Sequence, residues 1–402
     1  MRGRYDASMA DFHGGRARFE FFIVSAVTFM AFLTASSTPL LAVALRRTGL
    51  DDHAIGLVLS AGSLPVAVAA LFAGRIVSRF GDVRLILLGT ALMAATQAAL
   101  EIVHSDALAT IAVRVLYGVG CGIVVPAGMF YAQARLTETR YIYFFGIYST
   151  TLLLPNLVGP GLAELYLERV GTHGFFLVTA VPAIAAFAVM LWATRKESRS
   201  STAGKKPAIG YLAVLQTRDA GLIYPSCIVF GAVSGFSAFY MAMLLEQRGI
   251  AVSWYFSGYT VLLIFGRFVV LSKIQMLSRD LLIVLSALMQ GLAYLLLWTV
   301  TSTSTTLVAG ILYGLGQSVT FPALMAWGNS AVAEADRSAT TALVHASFVS
   351  GITLCGLLGG IACALFGIDE TMLGLSILAF FAAAILAPRL TLASDLTSAS
   401  RS

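Results

Sequence analysis

Apolar runs of about 20 residues, broken by short polar punctuation, recur along nearly the whole chain. They fall near residues 20–45, 55–77, 84–104, 107–134, 141–165 and 172–194, and again near 220–246, 252–276, 281–301, 305–333, 338–366 and 371–390. In helical form, about 20 such residues cross roughly 30 Å of hydrocarbon. Helices and closed barrels alone satisfy their own backbone hydrogen bonds there. The pattern therefore predicts an all-α membrane protein with twelve transmembrane helices. The one long polar stretch, residues 194–219, parts them into two sets of six. The predicted organisation is a tail over 1–19, a six-helix half over 20–194, a linker over 195–219, a second half over 220–390 and a tail over 391–402. The first apolar run is too long for a signal-peptide core, so it is expected to be a retained span.

The two sets resemble each other. LYGVGCGIVVPAGM (116–129) aligns without gaps on LYGLGQSVTFPALM (312–325), an offset of 196 that also superposes Ala91-Leu92-Met93 on Ala287-Leu288-Met289. Two halves built as parallel repeats place a substrate path at their interface, near the bilayer midplane. That organisation points to a carrier and away from a receptor, a scaffold or a membrane enzyme.

Composition agrees with the bilayer as solvent. Of the 402 residues, 58% are hydrophobic and 11% charged, against roughly 25% charged in an average soluble domain. The net charge of +6 comes from Lys and Arg scattered among short loops, which excludes a nucleic-acid face and instead reports orientation. Of the 26 basic residues, 21 fall on the side of the tails and linker, which predicts both termini in the cytoplasm of a cell whose plasma (inner) membrane the chain spans. Cys121, Cys227, Cys355 and Cys363 lie in apolar spans without metal-ligand or redox spacing. No GxxxxGK[ST], HExxH or GxSxG motif occurs, so neither an enzyme nor an ATP-driven pump is expected, and no cofactor or metal.

Three motifs carry a family resemblance. GRIVSRFGDVRL (74–85) resembles the loop between the second and third spans of the major facilitator superfamily, with Gly74, Arg79, Gly81 and Arg84 in place, Ser78 at the family's acidic position, and Asp82 where the family usually has a base. RVLYGVGCG (114–122) is similar to the family's fourth-span motif, an arginine followed by small residues. Gly146, Pro155 and Gly159-Pro160 have the spacing of its antiporter motif, with Pro155 for a glycine and Ala163-Glu164 for the closing glycine pair. The resemblance implies a twelve-helix fold in two pseudo-symmetric halves, alternating access, a gate role for the loop, and a monomer. PNLVGP (155–160), IVFGAVSGF (228–236) and the stretch from Ile55 through Gly81 resemble the staphylopine-type metallophore exporters more narrowly. That implies proton-coupled export of a small hydrophilic chelator. Multidrug or sugar efflux, solute import and a non-transporting sensor are the alternatives.

A transport path needs polar groups turned away from lipid. Ser36 and Thr38 in the first span, Asn156 in the fifth, and Gln317 and Asn329 in the tenth are the candidates. Each also has a structural alternative, bonding to its own helix or fastening a neighbour. Arg114, about 10 Å inside its span at helical rise, is a basic residue well inside a helix. It must find a partner, a cavity or a route to the interface. It is expected to attract an anionic substrate group or to act on a proton-carrying carboxylate, or else to be a structural charge. No acid sits at the centre of a span. Glu101 and Glu164 near the outer ends, with His345 as runner-up, are therefore the proton-carrying candidates. The expected partners are a small-molecule substrate, protons and membrane lipid.

Overall fold

A computed structural model of the protein describes residues 15–136, 147–148, 150–195, 214–217, 219–273, 278–299, 302–332 and 337–388. Gly146, most of the linker and most of both tails lie outside the described residues. The described secondary structure is helical: α1 (Gly15–Ala35), α2 (Thr38–Arg47), α3 (Asp52–Phe80), α4 (Asp82–Val103), α5 (Ala107–Gln133), α6 (Pro155–Arg169) and α7 (Phe175–Thr194). The series continues with α8 (Ala220–Phe239), α9 (Met241–Gln247), α10 (Val252–Lys273), α11 (Arg279–Thr299), α12 (Thr303–Ser330), α13 (Arg337–Phe366) and α14 (Ile368–Leu386). Among the described residues, ten helical segments are long and apolar enough to cross a bilayer, with a shorter apolar helix over Val252–Gly266.

Among the described residues three predicted spans are broken, including the fifth, at Leu154, just before Pro155 opens α6. The first is α1 plus α2, interrupted where Ser36 and Ser37 turn their hydroxyls onto Leu33 O (2.8 Å) and Thr34 O (2.7 Å). Pro39 in the first turn of α2 has no N–H to lose there. The seventh is α8 plus α9, interrupted at Tyr240. Loops are short because their ends are capped. Asp106 accepts from Leu108 N–H and Ala109 N–H at the start of α5, and Ser302 accepts from Thr305 N–H at the start of α12. These two caps are 196 residues apart.

The chain forms two compact units, Met1–Leu50 with Ala61–Pro207, and Asp51–Ser60 with Ala208–Ser402. The first packs Phe21, Val24, Met93, Val124, Tyr148 and Met190 into its core, the second Cys227, Phe230, Ile283, Leu324, Trp327 and Val344. Large apolar side chains such as Leu88, Ile102, Ile184, Leu365 and Phe381 stay exposed, as expected of faces meant for lipid. Within the second unit, the Asp51–Ser60 segment is held by small residues. Ser60 Oγ donates to Thr353 O (3.1 Å), and a Cβ on Gly56 would fall 2.6 Å from Gly356 O.

The internal repeat is visible as two glycine crossings in each unit. A Cβ on Gly118 would collide with the carbonyl of Gly62, and one on Gly314 with that of Tyr259. Likewise Gly120 sits 2.9 Å by that measure from Gly89 O and 3.0 Å from Met93 Cγ, while Gly316 sits 2.9 Å from Ser286 O and 3.1 Å from Gln290 Cγ. Between α5 and α12 the offset is the expected 196, but their partners are offset by 197. The superposition of Ala91-Leu92-Met93 on Ala287-Leu288-Met289 is therefore one residue out of the packing register, because α4 has 22 residues and α11 has 21.

Candidate functional site

Arg114 lies on the face of α5 turned toward α3, 4% exposed, with its Cζ 4.3 Å from the centre of the Tyr117 ring. The guanidinium occupies a notch made by Gly62, where an added Cβ would stand 3.0 Å from Arg114 Nη2. The planar cation over the ring is held by its quadrupole, a contact that gains strength when desolvated. Arg114 Nε and the Tyr117 hydroxyl are both buried with no hydrogen-bond partner among the described residues. No carboxylate there pairs with Arg114. The one charge on the face is thus left with unused donors, an arrangement that is costly unless something else completes it.

The two glutamates nominated beside Arg114 are placed elsewhere. Glu101 Oε1 accepts from Gly174 N–H (2.7 Å) at the start of α7, where Gly174 takes φ +70°, and Glu101 Oε2 is buried without a partner among the described residues. A carboxylate there satisfies a free N–H and faces the positive end of the helix dipole. Glu164 is half-buried on α6. Neither pairs with Arg114. His345 is half-buried and meets Phe321 edge-on at 5.9 Å.

Among the nominated pathway groups, Ser36 bonds its own helix, Thr38 is half-buried at the first position of α2, and Asn329 accepts from Thr341 Oγ1 at 3.4 Å. Asn156 is half-buried and makes no hydrogen bond with a described residue. Gln317 is half-buried, and its Oε1 has no hydrogen-bond partner among the described residues. The antiporter-like motif packs onto the first span's break. Pro155 opens α6, Pro160 lies inside it, and a Cβ on Gly159 would overlap Ser36 Oγ.

In the loop motif, Gly74 lies in α3, while Arg79 and Arg84 are exposed. Gly81 turns the chain at φ +83°. Asp82 is buried, accepts from Val83 N–H (2.8 Å) and lies 3.8 Å from Arg135, which in turn donates to Glu20 (3.1 Å) and covers the Tyr131 ring. Sequence reading singled out Asp82 but neither Arg135 nor Glu20, because the spacing that joins them runs across three helices.

The second unit carries the repeat mate of the arginine corner, of which sequence reading nominated Gln317 but not Tyr259. Tyr117, Cys121 and Arg114 correspond to Tyr313, Gln317 and Gly310, and Gly62 to Tyr259 by the packing register. The volumes are exchanged. One unit has glycine on α3 and arginine on α5, and the other has tyrosine on α10 and glycine on α12. Tyr259 then meets Tyr313 edge-on at 5.2 Å, much as the guanidinium meets Tyr117. The Tyr-Gly repeat signal at 117 and 313 was visible in the alignment, but the cross-helix partner was not.

The chain matches the model of the Major Facilitator Superfamily over residues 22–279 and 249–400. No curated protein matches it. Among solved structures it is similar to nucleoside transporter NupG, with TM-score 0.73, 12% identity, 92% of this chain and 98% of that one covered. It is also similar to a POT family transporter in complex with a thioalcohol-conjugated peptide (TM-score 0.76, 13% identity, 92% and 96% covered). A third is a POT family transporter in complex with 5-aminolevulinic acid (TM-score 0.74, 14% identity, 91% and 95% covered). With its twelve-span helical architecture, its repeat and this match along most of its length, the chain belongs to the Major Facilitator Superfamily and is a multi-pass membrane transporter.

Proposed function

We propose that this carrier exports a small hydrophilic solute bearing a carboxylate, of the metallophore class, by alternating access driven by inward proton movement. The observation that carries the reading is Arg114, a buried cation whose Nε has no partner among the described residues. An anionic group of the substrate supplies the missing charge and acceptors, a charge-assisted pairing that arginine's fork favours. Outward direction rests on the antiporter-like spacing in α6 and the close seat of Gly159 on Ser36. Glu101, Glu164 and His345 remain the proton-carrying candidates. Of these, Glu101 holds a junction between α4 and α7 that protonation would loosen. The carrier works as a monomer in the plasma (inner) membrane with both termini cytoplasmic, in accord with its basic loops.

The test is reconstitution of the full chain in proteoliposomes with an imposed pH gradient. Arg114→Ala is expected to abolish solute movement, and Arg114→Lys to restore little, because an ammonium cannot match the guanidinium's fork. Unchanged transport and pH dependence in both variants would sink the role of Arg114, and indifference to the gradient would sink antiport. Deletion of the gene, followed by mass spectrometry of cells and medium, decides direction: a chelator retained inside cells supports export.

A further inference from the structure

The exchange of volumes between the two repeat corners leaves Tyr259 and Gln317 in an unusual position. Along α10 the exposed stripe runs through Trp254 (47%), Val261 (48%) and Phe265 (57%). Tyr259 lies roughly 140° round the helix from Trp254 at 3.6 residues per turn, yet it keeps part of its surface open. Along α12 the exposed stripe runs through Ser304, Val308 and Ala326. Gln317 lies about half a turn round from Val308, and it too is only half-buried. Both side chains are thus accessible on the sides of their helices turned away from the outer stripes.

Gln317 is one turn from Tyr313 on the same face of α12, and Tyr313 is the ring that Tyr259 meets at 5.2 Å. Behind them the aromatic stack is fixed. Tyr313 lies 5.6 Å from Tyr294 with nearly parallel rings, Tyr255 bonds Ser237 (3.1 Å), and Tyr294 donates to Val233 O (2.6 Å). A rigid aromatic wall therefore ends in one accessible ring, Tyr259, and one turn along α12 from the tyrosine it meets is an amide oxygen that is buried and has no donor among the described residues. Aromatic faces take planar rings in offset or edge-on contact, and an unpartnered amide oxygen selects for a hydrogen-bond donor.

We propose that Tyr259 and Gln317 form a specificity subsite in the second unit for a planar aromatic group carrying a ring hydroxyl or N–H. Tyr259 packs the ring and Gln317 Oε1 accepts from the donor. The binding of acid probes rests on the proposed anion role of Arg114, whereas the aromatic preference is tested independently of it by an amide pair.

The experiment measures apparent Kd by ligand-induced thermal stabilisation of the purified full-length protein. Benzoate is compared with cyclohexanecarboxylate, and benzamide with cyclohexanecarboxamide, pairs that differ in aromaticity at nearly constant size. In the wild type the aromatic member of each pair is expected to bind roughly three- to ten-fold more tightly, the size of an aromatic pair contact. Tyr259→Leu should bring the ratio to about one, whereas Tyr259→Phe should keep it. 3-Hydroxybenzoate should exceed benzoate in the wild type and lose that advantage in Gln317→Leu. Aromatic preference in the amide pair without binding of either acid would overturn the anion reading and leave the subsite standing. No preference in either pair, or a preference that survives Tyr259→Leu, would overturn the subsite.

Discussion

At the scale of the residue, several buried polar groups in this protein are matched across helices, so single substitutions there have local and calculable effects. Pro182 lies inside α7, and the next N–H, that of Ala183, is taken by Thr34 Oγ1 of α1 at 3.0 Å. Thr34→Val preserves shape and removes the acceptor, so it should lower stability by about 1–3 kcal/mol, the penalty for a buried N–H left without its bond. Thermal unfolding of the purified variant checks this, with Thr34→Ser expected to recover most of the loss. Arg114 could be singled out in the sequence because it stands alone in an apolar span. Gly62, the notch that holds it, could not, because its role depends on the register of α3 against α5. Gln317 was nominated for its amide, while Tyr259 read as one apolar residue among many.

At the scale of the element, the sequence carried the twelve spans because hydrocarbon thickness imposes a length that composition alone reveals. It did not show where a span breaks. Ser36 and Ser37 were read as hydroxyls at depth, and in the fold they bond the preceding turn where α1 ends. The seat of α6 on that break gives the antiporter-like motif a physical content. A leucine at position 159 cannot be accommodated against Ser36 without moving one helix. Overpacking of this kind costs about 1–3 kcal/mol, which a twelve-span protein can absorb while a moving contact cannot. Gly159→Leu is therefore expected to reach the membrane at near-normal levels and to lose most of its transport, as judged by immunoblot and proteoliposome flux. The repeat shows the same division. Pro126 and Pro322 align as written, but the one-residue slip between α4 and α11 emerges from contacts that glycine makes with carbonyls, which no letter-by-letter comparison contains.

At the scale of the whole molecule, two units of similar build have diverged at one corresponding corner, toward a cation in the first and an aromatic wall in the second. Fold, repeat and family were all readable in advance, because each is written in periodicity and spacing along the chain. The loop network of Asp82, Arg135 and Glu20 was not, since its members come from α4, the turn after α5 and α1 and meet at 3.8 Å and 3.1 Å.

The division of α3 bears on how the molecule can be taken apart. Residues 51–60 are counted with the second unit, although the chain has 147 further residues of the first unit still to come, Ala61–Pro207. A cut in the linker therefore does not yield two self-sufficient pieces. Fragment 1–207 carries a ten-residue stretch whose closest partners, Thr353, Gly356 and Gly360, are on the other fragment. Produced alone, it should be degraded or aggregate. Produced together, the two fragments should rescue one another, and replacing Gly356 with leucine should weaken that rescue, as read by co-purification of one tagged fragment with the other.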